Sequence, residues 1–349
     1  MTNVNGTQGN TPVSRLPTVV RQRLATIPVQ YLPQTPVSRL QGTWRDARPR
    51  RIERALAHAQ GRDPGGWLVV GAASDLRADT SLLRTVAGVE VVLWRGADGQ
   101  LKAGPGGCPH LGAPLSDCEV VDGTLLCRWH GLALTGEAWG GWSPYPALDD
   151  GILLWARLPL AGESPSAVPA LAVRPPLGQS LVSVISRNTA CEPRDIIANR
   201  LDPWHGAWLH PYAFSDLTVD EAASSPEVLV LEVAYRLGRR WAVPVRAEFR
   251  CPDARTICMT ITDGEGVGSV VETHATPLTA PGRHPAVTVM TEVVAAHSGR
   301  RGFGVARRLA PLVTAGMRRS AWRLWDDDLQ YAERLYTLRR RAQGGCGPL

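Results

Sequence analysis

Short runs in which apolar and polar positions alternate, each closed by Gly, Asp or Pro, predict strands over most of residues 66–296. The first set is Trp67–Val70, Val89–Trp94, Val120–Cys127 and Ile152–Arg157, which together read as a small antiparallel domain. Ala161–Gly178, rich in Pro, Ala, Gly and Ser, reads as a connection. Strand-like runs then recur at Leu181–Ser186, Val228–Leu237, Trp241–Arg250, Thr256–Thr262, Val270–Pro277 and Ala286–Ala296. The last forty residues switch to a helical period, and Ile52–Gln60 predicts a short amphipathic helix ahead of the first strands. Residues 1–44 lack sustained periodicity and read as a poorly ordered extension. The pattern is α+β, divided as 1–44, 45–163 and 164–349.

At 349 residues the chain exceeds one ordinary hydrophobic core, which fits two domains. The net charge of +6 is carried almost wholly by Arg, since Lys102 is the only lysine. Apart from Arg48, Arg50-Arg51, Arg300-Arg301 and Arg339–Arg341 the basic residues are scattered, without interleaved aromatics, which argues against nucleic-acid binding. The basic ends suit an acidic protein partner or, at most, peripheral contact with an anionic membrane. The longest apolar run, Ile152–Trp155 extending to Leu160, is broken by Arg157 and Pro159 and is too short to span a bilayer. No signal-peptide pattern is present and Cys118, Cys191, Cys251, Cys258 and Cys346 show no paired spacing, so a cytoplasmic location is expected. Gly264-x-Gly-x-Gly268 lacks a following helix and reads as a hairpin turn, not a nucleotide loop.

The most specific chemistry lies in Cys108-Pro109-His110 and Cys127-Arg128-Trp129-His130, separated by sixteen residues. Each run supplies one thiolate and one imidazole, and each continues into a glycine loop, His110-Leu111-Gly112 and His130-Gly131. Asp122-Gly123 between them is a strong tight-turn pair. A mononuclear zinc site uses similar donors, but two matched loops suit a [2Fe–2S] cluster with both Cys on one iron and both His on the other.

A second constellation follows. In Asp202-Pro203-Trp204-His205-Gly206-Ala207-Trp208-Leu209-His210 two histidines stand five residues apart, a rotation of about 140° on an α-helix. Gly206 is expected to let the segment bend so that the two converge, and Pro211 to limit the helix. Two imidazoles and a carboxylate suit mononuclear non-haem Fe(II). On the last helix Leu324, Trp325, Asp328, Tyr331, Ala332 and Leu335 share a face that is apolar except for Asp328. A lone buried carboxylate needs a partner, and a metal is a good one. The same wheel turns Asp327 toward Arg323, Arg334 and solvent, and the alternative is that Asp326, Asp327 and Asp328 form one solvated face.

Over about residues 45–340 the chain resembles the large catalytic subunit of the Rieske non-haem iron ring-hydroxylating oxygenases. The resemblance rests on Cys-x-His and Cys-x-x-His, on Asp-x-x-His-x4-His, and on the acidic segment at Asp327-Asp328-x4-Glu333. It implies a Rieske domain followed by a helix-grip (START-like) domain, a curved antiparallel sheet around a long C-terminal helix. By this match Cys108, His110, Cys127 and His130 bind the cluster, and His205, His210 and Asp328 bind the iron. Asp202 becomes the carboxylate that links an iron histidine to His110 or His130 of a neighbour in a head-to-tail homotrimer. The alternative for Asp202, followed by Pro203, is a helix N-cap. Ala113 and Trp129 stand where respiratory-type Rieske proteins carry bracing cysteines.

The resemblance further implies electrons from a separate NAD(P)H-dependent reductase or ferredoxin, and O2 as co-substrate. The competing class is an electron carrier or redox sensor with a non-catalytic ligand-binding domain. The expected substrate is apolar, in the direction of a terpenoid or carotenoid, with Trp204, Trp208, Phe214, Trp241, Trp322 and Trp325 as candidate lining.

Overall fold

The computed structural model describes residues 29–300 and 302–343. Residues 1–28 of the expected extension, and Cys346, lie outside the described residues. Ordered structure nevertheless begins before residue 45. Gln30–Tyr31 (β1) pair with Ala242 and Trp241, because Tyr31 packs edge-on against Trp241 and the backbone continues the ladder through Leu32 N–H to Arg240 O.

Helix α1 (Pro49–Gln60) opens with Pro in its first turn, where the missing N–H costs nothing, and buries Leu56 and Ala59. The strands β2 (Trp67–Ala72), β9 (Ala147–Asp149) and β10 (Leu153–Arg157) form one three-stranded antiparallel sheet, with β10 central. A second contains β3 (Leu82–Val86), β4 (Val89–Arg95) and β5 (Leu101–Pro105). The third, β6 (Val120–Val121), β7 (Thr124–Leu126) and β8 (Ala133–Leu134), carries the tip. Its turn uses Asp122 and Gly123, both at positive φ, the twist-compatible hairpin that their sequence predicted.

The C-terminal part is an eight-stranded antiparallel sheet. It comprises β11 (Leu181–Thr189), β12 (Phe214–Val219), β13 (Leu229–Leu237), β14 (Trp241–Asp253), β15 (Thr256–Gly264), β16 (Val270–Pro277) and β17 (Thr288–Ala296), with β1 added at β14. The order is β11-β17-β16-β15-β14-β13-β12. Gly264, at the end of β15, and Gly266 and Gly268 just beyond it all take positive φ, so that motif is the β15–β16 hairpin.

Helices α2 (Pro193–Arg200), α3 (Trp204–Leu209), α4 (Phe303–Arg308) and α5 (Ala310–Gln343) complete the fold. At 34 residues, α5 is about 50 Å long. Its apolar stripe, Ala321, Trp325, Leu329, Ala332 and Tyr336, packs with Ile185, Ala275 and Met290 of the sheet. Farther along that sheet α1 and α2 cover Leu229, Leu231 and Phe249. Between the two packed regions the sheet and α5 border a cavity.

The two parts meet through Trp67, Val69, Leu153 and Trp155, packed with Val293. Beside them lies a buried polar chain. Arg174, in the connection, binds Asp150 (2.8 Å) and both oxygens of Glu272. Trp155 donates to Asp150 (2.8 Å), and His274 lies 3.0 Å from Glu272 and 3.2 Å from Thr256. Every buried charge here has an opposite partner, the condition for such a network to hold.

Candidate metal centres and cavity

The two glycine loops adopt one geometry twice. Cys108 N–H donates to Ala113 O and Gly112 N–H to Cys108 O, both at 2.8 Å. Cys127 N–H donates to Leu132 O (2.9 Å) and Gly131 N–H to Cys127 O (2.8 Å). Gly112 and Gly131 sit at φ +72° and +71°, and a Cβ at either would meet nothing within 4 Å. The glycines are therefore required by the left-handed backbone and not by crowding.

Cys108 and Cys127 are unpaired and buried, above a core that includes Val92, Trp94, Leu115 and Leu125. Burial pushes the Cys108 thiol up, Cys127 beside it adds to the rise, and the His110 and Leu111 backbone N–H groups oppose it. His110 and His130 are exposed, with ring centroids 4.9 Å apart. Two inward sulfurs and two outward imidazoles on matched loops fit a cluster held by an inner and an outer iron. Ala113 is buried and Trp129 exposed, so no bracing disulfide is available at those positions.

At the second constellation the histidines converge, but not through Gly206. Gly206 lies in regular helix, where a Cβ would make ordinary contacts at 3.5 and 3.6 Å with Leu217 and Phe214. Convergence comes instead from α3 stopping at Leu209. His210 follows with φ −115° and ψ 53°, which swings its ring back toward His205. The N-cap reading of Asp202 is also corrected: the cap position is Pro203, and no side-chain cap bond forms.

Both imidazoles meet one oxygen. Asp328 Oδ1 lies 2.8 Å from His210 Nε2 and 3.1 Å from His205 Nε2. One ligand atom from each of the three residues lies within 4.8 Å of the other two. Asp328 is buried, at 3% exposure. Burial alone would raise its pKa, but the two histidines outweigh that and hold it well below the usual carboxylate range. For His205 burial opposes protonation, yet Asp202 and Asp328 push it up to about 9. Two nitrogens and an oxygen around one point fit a divalent transition metal.

Behind each imidazole stands an acid tied by a tyrosine. Asp202 Oδ2 accepts from Tyr331 OH at 3.1 Å and lies 3.8 Å from His205 Nδ1. Asp202 Oδ1 and His205 Nδ1 are buried without a hydrogen-bond partner among the described residues. On the other side Tyr212 OH lies 3.2 Å from Asp327 Oδ2, which is 3.5 Å from His210 Nδ1. Asp327 therefore does not simply face Arg323, Arg334 and solvent as the helical wheel suggested. It reaches back because Tyr212, two residues past His210, lies over its turn of α5. Asp326 does point away and pairs with Arg187 (2.7 Å).

The cavity next to this site has a volume of about 440 Å³. Leu231, Val233, Met259, Ile261 and Val271 line it from the sheet, and Met317 and Leu324 from α5. Of the six expected aromatics, Phe214 and Trp325 line it. Trp208, Trp241 and Trp322 are exposed, and Trp204 is buried against Arg51. Arg200 and Glu292, which the sequence reading did not single out, also face the cavity. Glu292 is buried, which raises its pKa against the pull of Arg200 and of the Trp325 indole N–H, 2.8 Å away.

Residues 66–149 match the model of the Rieske [2Fe-2S] domain, and residues 160–343 match a domain of unknown function (DUF5914). A vanillate O-demethylase oxygenase subunit of a Pseudomonas species is 30% identical over 182 residues, 46% of this chain and 49% of that one. Chlorophyllide a oxygenase of Chlamydomonas reinhardtii is 25% identical over 225 residues, 58% of this chain and 34% of that one. The chain thus spans about half the length, or less, of the curated relatives it matches. Among solved structures, dicamba monooxygenase bound to dicamba is 18% identical with a TM-score of 0.58, covering 82% of this chain and 91% of that one. A carbazole 1,9a-dioxygenase oxygenase in complex with ferredoxin gives 11% and 0.55, covering 86% and 89%. A Rieske domain joined to a sheet-and-helix domain that carries a two-histidine, one-carboxylate cluster makes this chain a member of the Rieske non-haem iron oxygenase family, its C-terminal part belonging to the DUF5914 family.

Proposed function

We propose that this protein is the oxygenase component of a Rieske-type system that oxidises an apolar substrate with O2. The observation that carries the reading is the convergence of His205, His210 and Asp328 at the wall of a largely apolar cavity. A carrier or redox sensor has no use for such a metal face. In this reading residues 45–163 hold the cluster through Cys108, His110, Cys127 and His130. Residues 164–349 hold Fe(II) through His205, His210 and Asp328. When bound, the cluster supplies electrons one at a time and the iron supplies O2 activation.

The chain's own groups set the conditions for that chemistry. Asp328 supplies the anionic ligand, while Asp202 and Asp327 orient the imidazoles from behind. The apolar walls exclude water from the reacting face. In this reading Asp202, whose Oδ2 lies 3.8 Å from His205 Nδ1, is the carboxylate that links this iron histidine to a cluster histidine of a neighbouring subunit in a homotrimer. Electrons would come from a separate reductase or ferredoxin, by analogy with the multicomponent relatives. The cavity volume lies in the lower part of the ~300–1,000 Å³ range of small-molecule sites, which favours a compact terpenoid-like or aromatic molecule over an extended polyene.

Iron analysis of the purified protein tests the reading. Three irons per chain, falling to two in Asp328→Ala with the cluster absorption unchanged, are expected. Two irons in the parent protein, with no O2 uptake on addition of reductant and any apolar substrate, would favour the carrier.

A further inference from the structure

Arg200 ends α2 and lines the cavity, yet no hydrogen bond from its guanidinium to the described residues is formed. No carboxylate among the described residues lies within 4.0 Å of it, and its Nε is buried without a partner. Each of the other charged groups of the wall makes at least one polar contact, although Arg236 Nε and Asp202 Oδ1 are also buried without a partner among the described residues. Arg236 donates to Leu32 O, Asp202 accepts from Tyr331, Glu292 from Trp325, and Asp328 lies against the two histidines. Arg200 instead lies by two aromatic rings, with Phe249 and Trp325 centroids 5.6 and 5.8 Å from its Cζ.

That setting stabilises the cation without using its donors. Ring contact is electrostatic and leaves the in-plane N–H groups free. Arg200 is part-buried, and a cation set against apolar walls without an anionic partner is less well solvated than one in water. Its planar fork matches a carboxylate with two parallel bonds, a match that a neutral ester or hydrocarbon does not offer. Glu292 does not fill this role, since its nearest approach exceeds 4.0 Å and it accepts the Trp325 N–H.

We propose that Arg200 is the anchor for a carboxylate on an otherwise apolar substrate, whose body lies along Val233, Met259, Ile261 and Leu324. The inference deepens the oxygenase reading by naming a substrate class, and rests on it for taking this cavity as the substrate site. Arg200 is then a specificity-determining residue: it selects acids and orients the molecule so that the end remote from the carboxylate is free to be presented elsewhere in the cavity.

The test is equilibrium binding, which needs neither O2 nor electrons. Benzoate, 2-naphthoate and biphenyl-4-carboxylate, each beside its methyl ester, are titrated anaerobically into the full-length, cluster-loaded protein. Tryptophan fluorescence and calorimetry report Kd. At least one acid should bind about tenfold or more tighter than its ester, the scale of a hydrogen bond to a charged group. Arg200→Gln should bring acid and ester to within about twofold by weakening the acid alone, and Arg200→Lys should lie between. Cluster absorption and the thermal midpoint show whether each variant is folded. The parent protein's acid-to-ester ratio stands even if a variant does not fold. Equal binding of acid and ester across the series, no binding of any acid, or equal weakening of both by Arg200→Gln would overturn the proposal. Failure of the oxygenase reading is separate, since it shows in iron content and O2 uptake and leaves the binding preference in place.

Discussion

His205 and Asp202 face each other without a hydrogen bond: Nδ1 lies 3.8 Å from Oδ2, and that oxygen is held by Tyr331. Tyr331 thus fixes the carboxylate from the far side, on the same helix that carries Asp328 one turn earlier. Asp202→Asn should keep both metals, because no ligand is lost, yet slow electron delivery to the iron. Single-turnover measurements on pre-reduced protein locate the defect. Tyr331→Phe should give a smaller slowing of the same step, and parent-like rates in both would reduce Asp202 to a buried structural acid.

The three consecutive acids of α5 should rank by geometry. Asp328→Ala removes the oxygen shared by His205 and His210 and should abolish mononuclear iron binding with the cluster spectrum intact. Asp327→Ala frees Tyr212 and the far side of His210, so weaker iron retention, by about tenfold or more, is expected. Asp326→Ala loses only a surface pair with Arg187, worth less than about 1 kcal/mol, and should leave iron content unchanged. Iron analysis after dialysis against a chelator reads all three. A greater loss in Asp327→Ala than in Asp328→Ala would reverse the ligand assignment.

Much of this site could be read from sequence because its parts are local or periodic. The glycine loops follow from Cys, His and Gly within six residues, and the repeat of that spacing predicts their shared geometry. Asp328 stands out because helical period places one acid on an apolar stripe. What escaped was set across the chain. Asp327 lies at the edge of the helix face, and its role depends on Tyr212 reaching it from another segment. Arg200 looks like a basic helix end until β14 brings Phe249 and α5 brings Trp325 beside it. Strands β1, β3, β5, β8, β9 and β12 were missed as well. Their runs are short, and interruptions such as Arg84-Thr85, Gly104-Pro105 and Ser215-Asp216 weaken alternation, so pairing partners decide them.

The interface network should give the two parts of the chain a pH-dependent bond. For Asp150 and Glu272 burial alone would raise the pKa, but Arg174 outweighs it and holds both below their ordinary values. Their contribution is therefore present above the unfolded carboxyl range, near pH 4, and is lost as pH falls through the lower folded values. Arg174→Met leaves Asp150 and Glu272 buried without the guanidinium that pairs both, a cost of about 3–5 kcal/mol at neutral pH. In that variant their folded pKa values rise, so acidification relieves the damage. The thermal-midpoint gap between the parent and Arg174→Met should be widest at pH 7 and should narrow toward pH 4. A gap that stays constant over that range would show that the loss is one of packing.

Glycines at the two metal sites should respond in opposite ways. Gly131 sits at φ +71° with open space around its missing Cβ, so Gly131→Ala costs about 1–2 kcal/mol through backbone conformation alone. That should lower the cluster domain's midpoint without removing any ligand. Gly206 has an ordinary helical conformation, and its added methyl group would rest on Leu217 and Phe214 at 3.5–3.6 Å. Gly206→Ala should therefore be neutral or stabilising by up to about 1 kcal/mol, with full mononuclear iron content. A thermal melt read at the cluster absorption for the first variant, and in the far ultraviolet for the second, separates the two effects. If Gly206→Ala instead empties the iron site, the convergence of His205 and His210 depends on a bend at Gly206, and the account given to the backbone turn at His210 is wrong.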